Sequence, residues 1–137
     1  MRAASRDINT VSVIDDQPDA RFGPIELLKD LGINATALEG PLGSFNDVVD
    51  YIKGNFDAVI CDHKLGIKNF ATFEGAALVS RLYQEKVPAI LCTQWNGAAS
   101  SRIKSLKKYI PVIINPEDLD ETSFMKALEL CIHEHEG

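Results

Sequence analysis

The feature that most constrains the fold is a set of strand-length runs, Val11-Ser12-Val13-Ile14, Ala58-Val59-Ile60-Cys61 and Ala89-Ile90-Leu91-Cys92, apolar but for Ser12 and separated by amphipathic segments of helix length. Such runs are too short for buried helices and lack the alternation of half-exposed strands, so they read as parallel strands covered on both faces. Each stops at a polar residue: Asp15 and Asp16 after the first, Asp62 after the second, Thr93 after the third. Open α/β sheets place their sites beyond the carboxyl ends of their strands. Three carboxylates and a hydroxyl should therefore share one crevice.

The segments between these runs complete the pattern. Pro18 suits a helix start, and Phe22, Ile25, Leu28 and Leu31 recur at helical spacing up to Gly32. A weaker strand is expected over 34–38. Ser44 is the expected N-cap of a helix carrying Phe45, Val48, Val49 and Ile52, with Gly54 as its stop. The next strand, 56–61, leads into a long connection from Asp62 to about Phe73. A helix over 74–85 buries Leu78 and Leu82, and Pro88 opens the fourth strand. A fourth helix is expected over 97–108 with Ile103 and Leu106 inward, then a fifth strand over 110–114. Phe124, Leu128, Cys131 and Ile132 form the stripe of a last helix. The result is one α/β domain, a doubly wound five-stranded parallel sheet with five helices.

Charge and composition narrow the function. The 137 residues are 45% hydrophobic and 25% charged, as in ordinary globular chains, and the formal net charge of −6 argues against direct nucleic-acid binding. No apolar stretch approaches the roughly 20 residues of a membrane span, and residues 1–10 are short and polar, unlike a secretory signal. Cys61, Cys92 and Cys131 all lie in apolar contexts, so buried reduced thiols in the cytoplasm are expected. The sharper alternative is a redox pair of Cys61 and Cys92 on neighbouring strands.

A carboxylate accepts a phosphoryl group only if the opposing negative charge is neutralised, which a hard cation such as Mg²⁺ achieves with oxygen ligands. Asp15, Asp16 and Asp62 supply such ligands. Together with Thr93, this arrangement resembles the receiver domain of two-component response regulators, over nearly the whole chain. The resemblance implies the flavodoxin-like strand order 2-1-3-4-5, with Asp62 as phosphoacceptor from a histidine kinase or phosphotransfer protein. It also implies Mg²⁺ held by Asp15, Asp16, Asp62 and the backbone carbonyl of Lys64, and Thr93 as the hydroxyl that turns onto the acyl phosphate. The expected output is a downstream effector, read through the face of the fourth and fifth helices, with no direct nucleic-acid or membrane partner and no enzymatic activity.

The departures from that pattern matter equally. Receivers end the fifth strand in Lys-Pro, whereas this chain reads Ile113-Ile114-Asn115-Pro116, so Asn115 replaces the family lysine by an uncharged amide. Losing a cation beside several negative oxygens should weaken the phosphorylated form by a few kcal/mol. Gln94 and Trp95 follow Thr93 where receivers favour a small residue, the loop after Asp62 is longer than usual, and Val112 stands at the aromatic switch position. Two readings of Lys64 stay open: a cation that swings toward Asp62, or a solvated loop side chain.

Weaker constellations remain. His63 beside Asp62 is either an acid–base helper or, more ordinarily, an exposed residue at a strand end. His133 and His135 face opposite sides of a helix, which suits no metal site, and Lys104, Lys107 and Lys108 form a solvated basic patch. A degenerate receiver that binds partners without phosphate is the alternative function. A small-molecule-binding flavodoxin-like protein would need a phosphate cradle, and no Gly-rich loop of that type is present.

Overall fold

The computed structural model of the protein describes residues 1–94 and 97–136, without the side chains of residues 97–100 and 102. Its strands are β1 (Arg2–Ala3), β2 (Arg6–Asp7), β3 (Thr10–Ile14), β4 (Asn34–Ala37), β5 (Ala58–Cys61), β6 (Ala89–Cys92) and β7 (Ile113–Ile114). Its α-helices are α1 (Phe22–Asp30), α2 (Phe45–Asn55), α3 (Gly75–Gln84), α4 (Gly97–Leu106) and α5 (Glu121–Glu136). The main sheet runs β4-β3-β5-β6-β7, all parallel, which is the expected order 2-1-3-4-5. Successive strands of this sheet are connected through α1, α2, α3 and α4, and helices cover both faces.

The two faces carry separate cores. Ile14, Val59, Cys61 and Leu91 pack with Val48, Val49 and Ile52 of α2 and Leu78, Val79 and Leu82 of α3. Val11, Val13, Ile60, Ile90 and Cys92 pack with Leu28 of α1 and Phe124, Leu128 and Ile132 of α5. Neighbours in sequence point to opposite faces of a sheet. Cys61 and Cys92 thus lie on opposite sides, free and buried, and the redox-pair reading falls.

Most expected elements are present, with four corrections. Pro18 opens a 3₁₀ turn, Pro18–Arg21, and the α-helix begins only at Phe22. Ser44 caps α2 as expected, accepting from the Asp47 amide at 3.3 Å, but Gly54 does not end it. Gly32 is the glycine with positive φ among the described residues; Gly54 stays helical, and α2 continues to Asn55 before Phe56 turns extended. The fifth strand shrinks to two residues because Pro111 has no N–H to donate and the Ile110 amide is spent on the Lys107 carbonyl. The polar N-terminus, for which no strand was expected, forms a hairpin pairing Arg2 with Asp7 and Ala3 with Arg6, and buries Ala3 and Ile8 in the α5-side core.

Candidate functional site

β3 and β5 are adjacent with Ile14 opposite Cys61, so the residues that follow them emerge side by side. Asp15 and Asp16 leave the end of β3 and Asp62 the end of β5, and one ligand atom of each lies within 4.8 Å of the others. Thr93 follows β6, the next strand, its amide bound to the Ile114 carbonyl at 2.9 Å. The expected crevice is present.

Local hydrogen bonds fix each carboxylate. Asp15 Oδ1 accepts from the Gln17 amide at 2.9 Å, an Asx turn that starts the 3₁₀ segment. Asp62 Oδ1 accepts from the His63 amide at 2.7 Å. Asp16 is the most buried of the three, 6% exposed; its Oδ2 accepts from the Ile67 amide at 2.8 Å while its Oδ1 is buried with no partner. The long loop after Asp62 thus folds back and docks on Asp16, helped by Leu65 and Phe70, both buried in the core.

Crowding of like charges in a half-buried crevice shifts their proton affinity. Burial, then the neighbouring Asp62 and Asp16 charges, push Asp15 up to about 6 against the pull of the Gln17 amide and Arg21. Asp62 is raised mainly by burial, opposed by hydrogen bonds from Thr93 and the His63 amide. An unpartnered buried carboxylate oxygen beside two carboxylates of raised pKa offers a group of oxygen ligands to a cation. The all-oxygen donor set is what Mg²⁺ requires.

Asn115 does not lean over the cluster. Its Oδ1 accepts from the Glu117 amide at 3.1 Å, capping the 3₁₀ turn Pro116–Asp118. Lys64 is exposed and lines the cleft beside Asp62, with no ion pair to either aspartate among the described residues. Gln94 is exposed at the same cleft, and Trp95 lies outside the described residues.

His63 departs furthest from expectation. It is 1% exposed, its Nδ1 accepts the Ala76 amide at 3.2 Å, and Glu74 Oε2 stands 3.1 Å from its Nε2, without hydrogen-bond alignment. The ring faces α3, because the Gly75 amide also binds the His63 carbonyl at 2.8 Å and draws the helix onto the strand end. The buried ring joins the strand end to α3, in place of the exposed position expected for it.

Arg21 was not anticipated. Only 8% exposed, it donates from Nε to the Asp15 carbonyl at 2.9 Å, reaches Glu39 at 3.3 Å and lies 5.5 Å above the Phe70 ring. A cation six residues after an acidic residue is unremarkable in sequence. What gives Arg21 its place is the 3₁₀ turn.

Comparison with solved structures agrees with this geometry. A response regulator receiver domain from Clostridium thermocellum superposes with a TM-score of 0.66 at 16% identity, covering 94% of this chain and 98% of that one. The signal receiver domain of a modulated diguanylate cyclase from Desulfovibrio desulfuricans reaches 0.70 at 16% identity over 95% and 98%. The chain has the receiver-domain fold. The response regulator TrrA from Thermotoga maritima, solved in complex with Mg²⁺ and BeF, matches at 0.66 with 17% identity over 90% and 99%. No family profile matches the sequence, and no curated protein is similar to it. The receiver fold is shared with these structures at 14–18% identity.

Proposed function

We propose that the chain is a signalling receiver that accepts a phosphoryl group on Asp62 from a phosphohistidine of a histidine kinase or phosphotransfer protein, and passes the change to an effector. The observation that carries this reading is the convergence of Asp15, Asp16 and Asp62 within 4.8 Å, with an unpartnered oxygen on Asp16. Asp15, Asp16, Asp62 and the Lys64 carbonyl are the groups that would hold Mg²⁺. When bound, that ion neutralises the charge that otherwise keeps a carboxylate from a phosphoryl group.

In the transfer, an Asp62 oxygen forms the bond to phosphorus as the phosphorus–nitrogen bond of the donor breaks, and the departing imidazole takes a proton from solvent. The His63 amide holds one Asp62 oxygen and so orients the other. The Thr93 hydroxyl, a hydrogen-bond partner of Asp62, is the group positioned to follow a phosphoryl oxygen. Nothing in this scheme needs a substrate of the chain's own, and the protein acts as a switch and not as an enzyme. None of the described helices is long and apolar enough to cross a membrane. A soluble, cytoplasmic site of action fits that scheme.

Incubation with Mg²⁺ and acetyl phosphate, followed by intact-mass analysis, tests the reading. One added phosphoryl group, absent in Asp62→Ala, is the expected result. No mass gain with a cognate-type donor or a small one would leave a partner-binding module that works without phosphate.

A further inference from the structure

Arg21 is the one lysine or arginine buried among the described residues, 8% exposed, and the phosphoryl-transfer scheme gives it no part. Arginine side chains are seldom taken out of water unless the guanidinium is held. The ion pair does not explain the burial: Glu39 stands 3.3 Å from Nη1, but its side chain is 80% exposed, and pairs this open to water contribute little. The other two ties run to the acidic end of β3 and to the loop after β5. Nε donates to the Asp15 carbonyl at 2.9 Å and so holds the peptide that joins Asp15 to Asp16. The guanidinium carbon lies 5.5 Å from the centre of the Phe70 ring. Phe70 is fixed in turn: it is 5% exposed, its carbonyl accepts from the Leu42 amide at 2.6 Å, and a Cβ added at Gly40 would lie 2.5 Å from its ring. Three residues earlier in the same loop, the Ile67 amide donates to Asp16 Oδ2 at 2.8 Å. The acidic pair is therefore clamped twice, by Arg21 through the main chain and by the loop through the Asp16 carboxylate. The contact of Arg21 with Phe70 ties the two clamps together.

We propose that Arg21 is a positioning residue that, with Phe70, fixes the spacing of the Asp15 and Asp16 carboxylates and thereby sets which divalent cation the site prefers. The inference rests on the metal-assisted receiver reading and deepens it, by assigning the choice of ion to a residue that supplies no ligand atom. Mg²⁺ demands near-octahedral oxygens at about 2.1 Å, whereas Ca²⁺ accepts irregular sets at about 2.3–2.6 Å. A rigid pair of aspartates favours the smaller ion, and a loosened pair favours the larger. Groups that orient ligands without touching the metal commonly change its affinity by about 10- to 100-fold when they are removed.

Calorimetric titration of Mg²⁺ and of Ca²⁺ into the whole protein and its variants, at one pH and salt concentration, tests this. Arg21→Lys keeps a positive charge but has no planar fork to hold the Asp15 carbonyl and Glu39 together. Its Mg²⁺ affinity should fall about tenfold or more while its Ca²⁺ affinity stays within about threefold. Arg21→Met also removes the charge, which raises both affinities alike, so the ratio of the two should move in the same direction as in Arg21→Lys. Should neither variant fold, Phe70→Leu takes the ring from under the guanidinium and carries the same expected shift in the ratio. An unchanged ratio in the folded variants would make Arg21 a residue of stability alone and overturn the proposal. A ratio kept at its natural value by Arg21→Lys and lost only in Arg21→Met would also overturn it, because the role would then be one of charge. Either result leaves the receiver reading standing, whereas no binding of either ion by the natural protein would remove the metal reading and this inference with it.

Discussion

At the scale of single residues, the site is a balance of charges that folding holds too close together. Asp15 is pushed up to about 6, chiefly by burial, and Asp62 is raised in the same direction. A carboxyl whose folded pKa exceeds its unfolded value of 3.8 binds protons more tightly in the native state. Its contribution to stability is therefore complete below that unfolded value and is lost as pH rises through about 6. The metal-free protein should accordingly melt lower at about pH 7.5 than at about pH 5.5, and Asp15→Asn should raise the melting temperature at the higher pH and flatten the difference. Thermal unfolding in chelator at both pH values checks this; an unchanged slope in the variant would place the strain elsewhere. Asn115→Lys exchanges a turn cap, worth about 1 kcal/mol, for an ammonium facing the cluster. Mass-resolved kinetics with a small phosphodonor should show Asp62 labelled roughly tenfold faster, the effect of about 1.4 kcal/mol, and an unchanged rate would mean the charge is not limiting. The acidic residues themselves were legible because each ends an apolar run. Arg21 and the Asp16–Ile67 bond were not, since they depend on where a 3₁₀ turn and a loop backbone go.

At the scale of elements, α3 is the one bolted directly to the acceptor strand. Its first residue, Gly75, has no room for a side chain: a Cβ there would lie 1.7 Å from the Asp62 carbonyl oxygen. The Gly75 and Ala76 amides, both first-turn donors with no partner inside the helix, are satisfied by the His63 carbonyl and ring. Gly75→Ala must therefore push α3 and the Asp62 peptide apart. It should cost about 1–3 kcal/mol by denaturant unfolding and weaken Mg²⁺ in calorimetry, whereas Gly43→Ala, at a position with open space, should do neither. His63→Ala strands the Ala76 amide, and should cost a similar amount with little change in Mg²⁺ affinity. The helices and the three long runs were readable because burial on one or two faces imposes a period. The N-terminal hairpin was not, because two-residue strands carry no period. β7 was overestimated because the sequence shows the apolar side chains of Ile110 to Ile114 but not the loss of ladder bonds around Pro111.

At the scale of the whole molecule, the net charge of −6 and the acidic crevice act in the same direction. The net negative charge favours cations overall, and the crevice is where three carboxylates converge without a described side-chain cation paired to Asp15 or Asp62. A ligand that binds only the native state stabilises it by RT ln(1 + [L]/Kd), about 2.7 kcal/mol at a hundredfold excess over Kd. For a domain of this size that is a rise of about 5–10 °C in melting temperature. Saturating Mg²⁺ should therefore give that rise at about pH 7.5. The rise should shrink at about pH 5.5, because Asp15 then holds a proton that the metal must displace. Asp16→Ala removes the buried, unpaired oxygen and should abolish the rise at either pH. If that variant instead unfolds because the Ile67 amide loses its acceptor, Asp16→Asn keeps a carbonyl oxygen for Ile67 and removes the charge. Calorimetry on whichever variant folds separates the two roles of Asp16: retained Mg²⁺ binding would make it an anchor for the loop, and lost binding makes it a ligand.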